Sequence, residues 1–239
     1  MNPPPIPNAR APRTFTFEPM PENATPASVL ETLLKHPGRI IHELQQNRTT
    51  ALSAWLLVLG VGGMALYGLV VGALSGGAQL LIAPAKMALG TLLAMLICLP
   101  SLYIFSCLDG IEARIRTVAG LMFGAVCLTA LLLIGFAPVS WIFSQSTDSV
   151  ALMGTLHLVF WIIGVSFGLR LLAAAGSYLG KGGSRHLKIW NLVFVLVCLQ
   201  MTTTLRPIIG KADTFLPGEK KFFIAHWIDT LGGAANTRD

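Results

Sequence analysis

Five apolar runs, at approximately 51–74, 84–106, 118–143, 150–175 and 189–209, decide most of what this chain can fold into. Each is long enough for a helix to cross a bilayer core of ~30 Å, which takes ~20 residues at 1.5 Å rise per residue. None carries an Asp or Glu in its middle. A soluble protein of 239 residues would have to bury all five runs under a charged surface, yet charged residues make up only 12% of the chain against 54% hydrophobic. That is about half the charge of ordinary soluble domains. A chain embedded in lipid has no such surface to cover. The expectation is an all-α membrane protein: a five-helix transmembrane bundle over 49–210, with N- and C-terminal interfacial amphipathic helices.

The flanks divide the rest. Residues 1–27 are proline-rich and poor in large aliphatics, which is a composition for disorder. In 28–48, Val29, Leu30, Leu33 and Leu34, then Ile40, Ile41 and Leu44, recur at helical spacing on either side of Pro37-Gly38. Two short amphipathic helices on a membrane surface fit this pattern, with docking onto a protein partner as the rival. In the tail (211–239), "PGEKKFFIAHWIDTLGG" places Phe222, Phe223, Trp227, Ile228 and Leu231 on one side of a further interfacial helix. The N-terminal stretch lacks the apolar core of a cleavable signal peptide, so the first span would direct insertion.

Basic residues set the orientation. Arg39 and Arg48 precede the first span, Arg114 and Arg116 lie between the second and third, and Lys181, Arg185 and Lys188 between the fourth and fifth. The connection between the third and fourth spans has none. By the positive-inside rule the N-terminus is cytoplasmic and, after five spans, the tail is outside, in a plasma (inner) membrane; the alternative, to which Lys211, Lys220 and Lys221 of the tail point, is that one run is re-entrant and the tail cytoplasmic. Within the third run, Gly135 and Pro138 should kink or end the helix.

Ionisable residues inside spans are costly and so are candidates for function. His157, Arg170, Arg206 and the amide Gln200 are the candidate polar contacts to lipid or ligand. Lys86, near the outer end of the second span, can snorkel outward. Thr202, Thr203 and Thr204 can bond to carbonyls one turn back, and Pro207 should end the helix at Arg206. No HExxH, GxSxG, paired carboxylates, phosphate-binding loop or His/Cys array occurs, so no catalytic residue, metal or cofactor is expected and the chain reads as a non-enzyme. Cys98, Cys107, Cys127 and Cys198 read as buried free thiols. The net charge of +6 is scattered and not interleaved with aromatics, which argues against nucleic acid. Glycines four apart, Gly68/Gly72/Gly76, Gly120/Gly124 and Gly164/Gly168, are candidate helix-packing positions, within the chain or between subunits.

"LLKHPGRIIHELQQ" (33–46), with Leu33, Leu34 and Pro37 ahead of five spans, resembles the layout of Yip1-type membrane proteins. "LPSLYIF" (99–105) and "QMTTTLRPIIG" (200–210) are similar to motifs of an uncharacterised family of bacterial integral membrane proteins, over about 28–231. Some of that family carry an actin-binding WH2 label. Here only "LLKHP" approaches a WH2 motif and Pro37 falls where the motif should extend, so actin is not an expected partner. The resemblance implies architecture and no activity. The expected function is that of a scaffold or accessory subunit in a homo- or hetero-oligomeric membrane complex, acting through helix packing and interfacial contacts. The alternative is a small channel or transporter using His157, Gln200, Thr202–Thr204 and Arg206 of spans four and five.

Overall fold

The computed structural model describes residues 25–46, 50–73, 77–147, 149–180 and 185–204. Seven helices follow in order: α1 (Pro26–Lys35), α2 (Pro37–Gln46), α3 (Thr50–Ala73), α4 (Gln79–Leu108), α5 (Ile115–Ser146), α6 (Val150–Leu179) and α7 (Arg185–Thr204). Among the described residues there is no strand, only an isolated bridge between Ile111 and Gly180.

Four helices, α3 to α6, are long and apolar enough to cross a membrane. The fifth apolar run forms α7, whose apolar part, His186–Met201, is shorter than these. The remainder of that run and the expected tail helix lie outside the described residues, as does the proline-rich N-terminus. Large apolar side chains point outward along the four long helices, among them Leu81, Leu96, Ile104, Ile142 and Ile162. An outward apolar surface of this kind suits lipid and not water.

Contacts run in a chain: α7 against α4, α4 against α3, α3 against α5, and α5 against α6. The result is a nearly closed ring whose weak seam lies between α6 and α7. Small residues set how closely the ring packs. A Cβ on Gly68 would lie 2.6 Å from Pro84 Cα, and one on Gly72 2.7 Å from the Gln79 carbonyl oxygen, so α3 and α4 meet backbone to backbone. Gly60 and Gly63 bring the same helix against α5, where added Cβ atoms would meet Cys127 N at 3.1 Å and Ala130 Cβ at 3.0 Å. Gly164 and Gly168 do likewise for α6, against the carbonyls of Thr129 and Ala125 at 3.2 and 2.6 Å. Gly120 receives Leu44 of α2, whereas Gly124 makes only ordinary contact. Gly76 lies outside the described residues.

Of the kink or end expected at Gly135 and Pro138, the end is corrected: helix α5 continues through both to Ser146. Helix α4 likewise contains Pro84 and Pro100, and begins five residues before the apolar run read from sequence. A proline removes one helical donor, and membrane helices tolerate this because neighbouring helices and side chains satisfy the freed carbonyl.

The two N-terminal helices use their apolar stripes on the bundle itself. Thr25 caps α1, its hydroxyl accepting from Ser28 N–H, with Pro26 in the first turn where a missing N–H costs nothing. Val29, Leu33, Ile40, Ile41 and Leu44 are buried, α1 packing on α3 and α5 and α2 on α5 and α6. The Thr117 hydroxyl donates to the Leu44 carbonyl at 3.1 Å, and His42 Nδ1 bonds the Tyr178 hydroxyl at 3.1 Å. The amphipathic pattern read as facing a membrane surface thus faces α3, α5 and α6.

The glycine contacts give a direct test. Gly68→Ala should lower the melting temperature in detergent, since overpacking against backbone costs about 1–3 kcal/mol. Gly62→Ala, on the same helix with nothing within 4 Å of the added atom, should be neutral or mildly stabilising. Equal melts for the two variants would contradict this packing.

Candidate functional site

Polar side chains gather at two levels of the bundle. The first is a layer near the end where α3 and α5 finish and α4 and α6 begin. Tyr67, Lys86, Ser140 and His157 each stand six or seven residues from that end of their own helix, ~10 Å into it at 1.5 Å per residue. All four are buried. The Tyr67 hydroxyl and His157 Nδ1 are 2.7 Å apart, and the rings meet edge to face at a centroid distance of 5.5 Å. A buried imidazole needs such a partner, because an orphaned ring nitrogen would carry its full desolvation cost. Lys86 corrects the sequence reading: its relative exposure is 0%, so its side chain is enclosed by the bundle and does not snorkel outward.

Inside the ring, next to this layer, lies a cavity of about 90 Å³ lined by residues of α3 to α7. Lys86 and Thr91 come to it from α4, Thr129 from α5, Trp161 from α6, and Phe194 and Cys198 from α7. Thr129 joins two helices here, its hydroxyl lying 2.9 Å from the Ala125 carbonyl of its own helix and 3.2 Å from the Gly164 carbonyl of α6.

The second level is at the opposite end, where Asp109 follows α4. Its carboxylate reaches the start of α7: Oδ2 accepts from Leu187 N–H at 2.9 Å, and Oδ1 from His186 N–H at 3.2 Å. His186 Nδ1 is 2.7 Å from the same Oδ1. A carboxylate on the free N–H groups of a helix N-terminus satisfies donors that have no partner within the helix, and complements the helix dipole. Burial by itself pushes the Asp109 carboxyl up, but the Leu187 N–H and the His186 side chain and N–H together hold it below the ordinary value. Gly110, at φ 73°, makes the turn that sends the chain on to Ile111. One turn further along α7, Trp190 is wholly buried, stacks on Phe194 and donates from Nε1 to Ser101 Oγ at 3.0 Å.

The residues singled out from sequence are dispersed. His157 is part of the Tyr67 pair. Arg170 is exposed on α6, its guanidinium 5.2 Å from the centroid of the Phe167 ring. Gln200 stands on α7, half-buried, whereas Arg206 lies outside the described residues and the side chains of Thr202, Thr203 and Thr204 are among those left undescribed. Helix α7 packs chiefly on α4 and only weakly on α6. Of the cysteines, Cys98 and Cys127 are buried, but Cys107 is exposed.

Sequence reading missed Asp109, Tyr67 and the enclosure of Lys86. For Lys86 a signal existed: Ala83 and Gly90, three residues before and four after, put small residues on its face of the helix, the composition of a close-packed face. Asp109 looked like an ordinary loop residue because its partners stand 77 and 78 positions away.

Removing the Asp109 cap in Asp109→Ala should cost about 1 kcal/mol near neutral pH. Because its folded-state pKa is depressed, its contribution is complete above the unfolded value of ~3.9 and is lost as pH falls through the lower folded value. Melts of the unaltered chain should therefore show an acid-range loss below about pH 4 that Asp109→Ala reduces; identical pH profiles would remove this role. For the other level, Tyr67→Phe should cost about 1–3 kcal/mol by stranding His157. Adding His157→Leu to Tyr67→Phe should cost less than the two single changes summed. Strict additivity would show that the pair does not interact.

Comparison with protein-family models, curated proteins and solved structures returns no significant match to this chain.

Proposed function

We propose that this chain is a five-span plasma-membrane protein acting as a non-enzymatic scaffold or accessory subunit of a membrane complex. One observation carries the reading: polar side chains of the long helices are used to hold helices to one another. Tyr67 bonds His157, Trp190 bonds Ser101, and Thr129 reaches the Gly164 carbonyl. In this reading α7 is the fifth span: its 20 helical residues measure ~30 Å, the thickness of a bilayer core. The basic residues Arg39, Arg114, Arg116 and Lys188 then share the cytoplasmic side with α1, α2 and the Asp109 junction. The layout is Yip1-like, with a cytoplasmic N-terminal region ahead of five helices.

The outward apolar surface of α4 and α6 is where such a protein would meet lipid or partner spans. Crosslinking in native membranes followed by detergent extraction should give discrete higher-mass species containing the chain, and a reporter fused after Asp239 should be active only outside. A chain that stays monomeric and partnerless in its own membrane would overturn the scaffold reading. A cytoplasmic reporter signal would overturn the five-span topology.

A further inference from the structure

We infer that the bundle holds a Cu(I) site between α4 and α7, built from the thiols of Cys98 and Cys198 and the thioethers of Met95 and Met201. The same pair of sulfur residues occurs twice, as "MLIC" (95–98) in α4 and as "CLQM" (198–201) in α7. Residues three apart share a helix face, so each helix presents one thiol and one thioether together. The two helices run antiparallel: Asp109 meets Leu187 at one end, and further in Ser101 meets Trp190. Continuing that ladder brings Cys98 level with Cys198 and Met95 level with Met201. Two further observations agree with this register. Cys98 is near enough to Cys198 for its charge to act on that thiol, and Met95, Cys198 and Met201 line one cavity.

The donor set selects the ion. Thiolates and thioethers are soft ligands that favour Cu(I), whereas zinc sites draw on Cys, His and carboxylates. Among the described residues no three His, Cys, Asp or Glu side chains gather in a way that suits such an ion. Of the methionines in α3 to α7, Met64, Met87, Met95 and Met201 line the cavity, and Met122 and Met153 do not. Methionine is flexible enough to turn its sulfur towards an ion in a space of about 90 Å³. Each thiol that binds gives its proton to solvent, and copper stays Cu(I) throughout. With one thiolate the filled site carries no net charge, which suits a low-dielectric bundle. The site is independent of any assembly role of the chain.

The test uses the full chain purified in an uncharged detergent without oxygen, with Cu(I) as probe and Zn(II) as comparator. Both are challenged with a chelator and read as metal retained per chain. One Cu(I) per chain and no Zn(II) are expected, and X-ray absorption of the copper-loaded chain should show sulfur neighbours only. Cys98→Ser with Cys198→Ser should weaken Cu(I) at least about tenfold, as should Met95→Leu with Met201→Leu, since even partners outside the ligand shell are worth about 10–100-fold. Cys107→Ser, which removes the exposed thiol, should leave binding unchanged. Copper held undiminished by either double variant, or lost in Cys107→Ser, would overturn the site. So would failure to retain Cu(I), equal retention of Zn(II), or nitrogen or oxygen neighbours around copper. Retention and absorption on the unaltered chain decide the matter even if a variant fails to fold.

Discussion

Helices in lipid attract one another by contact and by hydrogen bonds, since burying apolar surface from one another gains little over burying it in acyl chains. Close approach is therefore the condition on which the rest of this structure depends. Helix α3 supplies it on two sides. Gly60 and Gly63 let it meet the backbone and Ala130 of α5, and Gly68 and Gly72 let it meet α4 at Pro84 and Gln79. A single methyl at Gly68 or Gly72 would fall within 3 Å of the backbone of α4. Among the described residues, Gly68 and Gly72, and likewise Gly164 and Gly168, face helices of the same chain.

The polar contacts follow from that approach. Tyr67 can reach His157 because the ring is drawn together, and Thr129 can touch a carbonyl of α6 because Gly164 and Gly168 let the two helices meet. At the far end a different device acts. Helix α7 makes few contacts with its sequence neighbour α6, and its start is held by Asp109, from the junction after α4. Trp190 then fixes α7 on α4 through Ser101. The α1–α2 pair closes the same end by docking onto α3, α5 and α6. One end of the bundle is clasped, while α6 and α7 meet only weakly.

Helical class and the position of the apolar runs were legible in the sequence because length and hydropathy are local properties. The helix ends were less so: α4 begins at Gln79, ahead of the run that starts at Pro84, and Pro138, which read as a kink or a stop, lies inside α5; a bundle tolerates such prolines because neighbours can satisfy the freed carbonyl. The amphipathic pattern of Val29 to Leu44 was legible, but not what it faces. A helical stripe has the same spacing whether lipid or protein covers it. His157 stood out as a polar residue in a span, and its partner Tyr67 did not, since an aromatic near a span end is unremarked in any membrane helix. Lys86 was read by its distance from a helix end, which is a one-dimensional measure; its enclosure depends on which face α4 turns to α3.

The packing of α3 on α5 through Gly63 and Ala130 is the contact to test, since it separates a bundle closed within one chain from helices that meet between chains. Gly63→Cys and Ala130→Cys, combined in a chain with its four native cysteines replaced and a protease site placed in the 109–114 connection, should oxidise readily in native membranes. After cleavage the two fragments should remain joined at the mass of one chain until reductant is added. Fragments that separate without reductant, or that are joined only as a dimer of chains, would contradict the account.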